Sequence, residues 1–124
     1  MKFQYVFEKS KAWNQSVDLT KEVHDLDSRF HNYEKFEIIK KLREGSVSIS
    51  ADIAVASTHS SAKKQNKIKS RINKNITRFL SHLFIAKEMA FINQIKFDQL
   101  KSKVDTISNF TSKIHESKHP VQVW

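Results

Sequence analysis

Residues 62–79, AKKQNKIKSRINKNITRF, carry seven positive charges and no acid: Lys63, Lys64, Lys67, Lys69, Arg71, Lys74 and Arg78. Lys63, Lys67, Arg71, Lys74 and Arg78 are spaced by 4, 4, 3 and 4, the intervals that stack side chains along one face of a helix. At 1.5 Å per residue they form a stripe roughly 22 Å long. Like charges one turn apart cost a helix a few tenths of a kcal/mol per pair, so the pattern points to an anion. Nucleic acid, RNA or DNA, is the first expectation. An acidic protein is the rival, and a plain solvated face the third reading. Five phosphates neutralised would give a log–log salt slope of roughly −4. No aromatics interleave with the stripe, so recognition of backbone and shape is expected rather than base stacking. Lys40, Lys41 and Arg43 could extend the patch, although Glu34, Glu37 and Glu44 lie among them.

A second pattern, HESKH at 115–119, matches the H-E-x-x-H form of zinc proteases. That chemistry needs two His one turn apart on a stable helix, a Glu base and a third ligand. Here Pro120 follows at once and only four residues remain after it. The match is read as chance, with no catalytic residue and no metal site. His24, His31, His59 and His82 show no ligand spacing, and His82 is read as a surface or interface residue. Around His59, STHSS lacks a nucleophile turn and reads as a loop. A single glycine excludes a Gly-rich phosphate loop. No cofactor is expected, and the chain is not expected to be an enzyme.

The elements that must position the stripe are helical. In 124 residues there is one Gly, Gly45, and one Pro, Pro120, too few turn formers for an all-β fold. The absence of Cys rules out disulfides and thiolate metal sites. Residues 35–78 hold 11 Lys/Arg against three acids, so most of the formal net charge of +9 sits in the middle third. No apolar run reaches the roughly 18 residues of a membrane span, and MKFQYVFEKS lacks the apolar core of a signal peptide. A cytoplasmic location is the expectation, and the sequons at Asn14, Asn75 and Asn109 are read as chance.

Apolar spacing predicts four helices, at about 10–29, 34–57, 63–90 and 94–117. The first stripe is Trp13, Val17, Thr20, Val23, Leu26 and Phe30. The second is Phe36, Ile39, Leu42, Ser46, Ile49, Ile53 and Ala56. Its β-branched residues could suggest a strand, but the helical period favours a helix. The third is Ile68, Ile72, Ile76, Phe79, Leu83, Ala86 and Ala90. The fourth is Phe97, Leu100, Val104, Ile107, Thr111 and Ile114, with Asn93 as N-cap and Ile92 and Phe97 as a hydrophobic staple. Short joints between long helices predict an all-α, antiparallel up-down-up-down four-helix bundle over residues 1–118, with a tail at 119–124. The basic third helix has the two faces of a membrane-surface helix. Three matching apolar stripes favour mutual burial instead, and no membrane partner is expected.

Three stretches bear a resemblance: Trp13 near the start of the first helix, LREGSVSISADIAVA at 42–56, and FLSHLFIAKEMAFI at 79–92. The second is similar to the pattern R-R-A-A-V-S-I-P-x-N-I-A-E-G. Over roughly residues 3–115 the chain resembles the four-helix-bundle family of proteins encoded by intervening sequences of 23S ribosomal RNA genes. That family also includes the accessory variability determinant of diversity-generating retroelements. There are departures: Ser50, Asp52, Val55 and Ala56 replace the family's Pro, Asn, Glu and Gly. Arg78 and Leu80 stand where acids are usual, and Glu44 where Arg is usual, either a swapped Glu44–Arg78 ion pair or unrelated drift. The resemblance implies a homo-oligomer, a pentamer around a central channel, that is not an enzyme. It also implies a role beside a reverse transcriptase and nucleic acid.

Overall fold

The computed structural model describes residues 5–27, 32–58 and 61–113. A short 3-10 turn, Val6–Lys9, leads into α1 (Lys11–His24), α2 (Tyr33–Thr58), α3 (Ala62–Glu88) and α4 (Gln94–Thr111). No strand occurs among the described residues.

Each helix starts on a side chain that accepts an otherwise orphaned backbone N–H. Ser10 Oγ accepts from Trp13 N at 3.1 Å, and Asn32 Oδ1 from Lys35 N at 3.0 Å. Ser61 Oγ accepts from Lys64 N at 3.2 Å, and Asn93 Oδ1 from Lys96 N at 2.8 Å. Such caps are worth about 1 kcal/mol each. The staple residues beside Asn93, Ile92 and Phe97, are both buried.

The helix ends differ from the predicted bounds for identifiable reasons. α1 stops at His24 because Arg43 of α2 donates to the carbonyls of His24 and Leu26, both at 3.2 Å. α3 stops at Glu88 in a Schellman turn. There Phe91 N–H reaches back to Ala86 O at 2.8 Å and Ala90 N–H to Lys87 O at 2.9 Å, with Ala90 left-handed at φ 59°. α4 is helical to Thr111. Phe30, Ile114 and the expected tail lie outside the described residues.

α1 packs on α2 and α4, and α3 packs on α2 and α4, closing a four-membered ring. Ser50 donates to Ser16 while Arg43 reaches His24, so α1 and α2 run antiparallel. Asp52 faces Arg71 while Gly45 faces Phe79, which sets α2 against α3 likewise. The Phe84 and Phe97 rings meet edge to face at 4.9 Å while Lys69 reaches the Ser112 carbonyl, so α3 and α4 are antiparallel too. Ile39, Leu42, Ile49, Ile53, Ile72, Phe79, Leu83, Leu100, Val104 and Ile107 fill the centre. The β-branched stretch of α2 is helical throughout.

The predicted face of α1 is rotated. Ala12, Ser16, Leu19 and Val23 are buried, whereas Trp13, Val17 and Thr20 are half-buried. Small side chains occupy the side nearest α2: Ser50 Oγ donates to Ser16 Oγ at 2.8 Å, a contact that needs the two helices close together. Trp13 fills the flank, its ring edge-on to Phe7 at 4.9 Å.

Candidate nucleic-acid interface

Gln65, Ile68, Ile72, Ile76 and Phe79 fix the rotation of α3 by pointing inward. Residues on the opposite side therefore face solvent. Lys63, Lys64, Lys67, Arg71, Lys74 and Arg78 are all exposed. The structure thus brings the predicted stripe to one surface, with two changes to its charge.

Lys69 does not belong to it. It lies two residues from Lys67 and from Arg71, so about 200° round the helix from each. Half-buried, it donates to the carbonyl of Ser112 on α4 at 3.1 Å. Arg71 faces outward but is compensated. Its Nε lies 3.2 Å from Asp52 Oδ1, and Asn75 Nδ2 donates to Asp52 Oδ2 at 2.6 Å. Lys63, Lys64, Lys67, Lys74 and Arg78 remain as cations without a carboxylate partner among the described residues.

The predicted extension on α2 divides. Lys40 and Lys41 are exposed. Arg43 is turned towards α1, where it closes that helix's C-terminal carbonyls, and is removed from the patch. Lys41 and Arg78 share a cleft of about 190 Å³ between α2 and α3 with Glu44, Gly45, Ser48, Asn75, Phe79 and His82. The swapped Glu44–Arg78 ion pair is not formed, although both residues line that cleft. Burial, then the charges of Lys41 and Arg78, hold His82 below the ordinary histidine pKa.

Asp52 and His82 are the participants that spacing along the chain did not single out. Each acts across the α2–α3 seam, and no periodicity within one helix encodes that register. A usable signal was the scarcity of acids: Asp52 is the one carboxylate of residues 45–87, so it had to matter to the charge of α3.

HESKH, His31 and His59 lie outside the described residues. Among the described residues no group of three or more His, Asp or Glu is placed to hold a metal ion. No described helix is long and apolar enough to cross a membrane.

No curated protein gives a significant match to the chain. The family model described as 23S rRNA-intervening sequence protein matches residues 8–113, a span that takes in all four α-helices. This four-helix bundle with a basic third helix is therefore a member of the 23S rRNA-intervening sequence protein family.

Proposed function

We propose that the chain is a non-catalytic nucleic-acid-binding protein whose outward α3 face tracks a phosphate backbone. The observation that carries this reading is the exposed row Lys63, Lys67, Lys74 and Arg78, unopposed by any described carboxylate. A charge stripe that costs helix stability is favoured where an anion offsets the repulsion. With Arg71 compensated, four phosphates rather than five are neutralised. The salt slope on single-stranded nucleic acid is then roughly −3, a loss of about 50-fold in affinity between 50 and 200 mM salt.

The resemblance to the retroelement accessory proteins, rather than the family match itself, is the basis for proposing an oligomer, a pentamer, that serves a reverse transcriptase as an accessory subunit. Exposed Phe84, Ile85 and Met89 at the far end of α3 are consistent with assembly, since soluble monomers seldom leave large apolar side chains grouped at the surface. The same bundle acting as a scaffold for an acidic protein is the rival reading.

The test is fluorescence anisotropy with labelled single-stranded RNA, matched DNA and an RNA–DNA hybrid across a salt series. The triple change Lys63→Glu, Lys67→Glu and Lys74→Glu is expected to abolish binding while circular dichroism stays helical. Unchanged affinity in that variant would refute the stripe. Light scattering reports the subunit number, and a clean monomer would refute the assembly.

A further inference from the structure

The cleft between α2 and α3 differs from the open face beside it. Lys41, Gly45 and Ser48 enter from α2, and Arg78 and His82 from α3, over the buried ring of Phe79. Its volume of about 190 Å³ equals roughly six waters at about 30 Å³ each, room for a phosphate group with part of its hydration. Gly45 keeps the inner wall bare: a Cβ there would meet Phe79 Cδ2 at 3.4 Å.

Two cations and one carboxylate line this cleft, which leaves an excess of one positive charge with His82 neutral. Lys41 and Arg78 form no salt bridge among the described residues, and Glu44, in the same wall, pairs with neither. Both cations act on His82, which burial and then their repulsion hold below the ordinary histidine pKa. The titratable groups facing His82 are Lys41 and Glu44 from α2 and Lys74 and Arg78 from α3 itself, and none from α4 lines either depression around it. Arg78 and His82 also border the outer groove with Asn73, Lys74, Thr77 and Ser81. A chain following the stripe therefore passes the mouth of the cleft.

We infer that Lys41, Arg78 and His82 form a phosphate-binding pocket that seats one phosphate of the nucleic-acid backbone and takes up a proton on His82 as it does so. This rests on the nucleic-acid reading above and adds a defined anchor to it. The Lys41 ammonium and Arg78 guanidinium supply charge-assisted hydrogen bonds. The Ser48 hydroxyl is a further donor. A bound anion offsets the repulsion that disfavours the imidazolium, so His82 gains a proton and a third charge-assisted bond.

The test reads the His82 ring by NMR, assigned by loss of its signal in His82→Gln, titrated from pH 5 to 8. One series contains chloride and the other inorganic phosphate at equal ionic strength, which removes the contribution of simple screening. The His82 midpoint is expected to rise by about half a unit or more in phosphate. In Lys41→Gln the midpoint rises already in chloride, because a repelling charge is gone, and the phosphate-dependent rise is lost. The same variant binds single-stranded RNA more weakly, because one of the charge-assisted bonds to the seated phosphate is gone. A His82 midpoint identical in both buffers, with RNA bound normally by Lys41→Gln, would overturn the pocket and leave the stripe standing. Movement of His82 by phosphate in a protein that binds no RNA would overturn the backbone assignment and retain a site for free phosphate. Failure of wild-type protein in both assays would overturn pocket and stripe together.

Discussion

Asp52 holds Arg71 out of the electrostatic stripe, and replacing it with Asn tests the interface from an unusual direction. The substitution keeps the shape and leaves a carbonyl to accept from Asn75, whose amide now donates to Asp52 Oδ2 at 2.6 Å. It removes the charge that sits 3.2 Å from Arg71 Nε. The Asp52 side chain is 15% exposed and that of Arg71 57%, so the ion pair is well screened and worth at most about 1 kcal/mol. Weakening one charge-assisted hydrogen bond adds a comparable cost. A loss of about 1–2 kcal/mol lowers the melting temperature by about 3–8 °C.

Binding should move the other way. A released Arg71 adds a fifth neutralised phosphate, so the slope on single-stranded RNA steepens by about 0.7. The corresponding affinity gain is about eight-fold at 50 mM salt and about three-fold at 200 mM. The assay is anisotropy over that salt range beside a thermal melt by circular dichroism. Glu88→Gln is the control. It removes one charge from an exposed side chain about 15 Å along α3 from Arg78, the nearest cation of the row, more than one Debye length at 0.1 M salt. A less stable Asp52→Asn protein that binds more tightly would confirm the reasoning. Unchanged slope and affinity, or an equal gain in Glu88→Gln, would refute it.

Ala90 holds φ at 59° without being glycine, so Ala90→Gly should stabilise the protein by about 1 kcal/mol, read as a rise in urea midpoint. Arg43→Ala removes both hydrogen bonds to the end of α1 and should cost about 1–2 kcal/mol while RNA affinity stays constant. A fall in affinity would return Arg43 to the interface. His82 titrates below the ordinary value in the folded state, so the unfolded chain binds the proton more readily. Its contribution is present above about pH 6.5 and is lost as pH falls through the folded-state value. Urea midpoints at pH 5 and 7.5 should therefore differ less in His82→Gln than in the wild type.

The chain read alone yielded the helices and three of the four buried faces. Ile39 to Ala56 in α2, Ile68 to Ala86 in α3 and Phe97 to Thr111 in α4 lie where their period places them. That information is local: a helix fixes its own neighbours at three and four residues, and large apolar side chains mark the buried side. The same rule failed on α1. There Trp13 and Val17 are at the flank, while Leu19 is inside together with the small residues Ala12 and Ser16. Close approach of two helices selects small side chains, and a spacing argument weighted by hydrophobicity passes over them.

The total charge of α3 and its concentration on one face were equally determined by sequence. Which of those charges is available was not. Lys69 is spent on the end of α4, Arg71 on Asp52 and Arg43 on the end of α1, while Lys41 and Arg78 meet across a cleft. Each of these depends on the rotation and register of one helix against another. Those are set by the simultaneous fit of the whole core, a collective property that no single stretch of residues carries. Sequence therefore determined that this protein presents a basic helix, and tertiary packing decided which of its charges stay exposed and uncompensated.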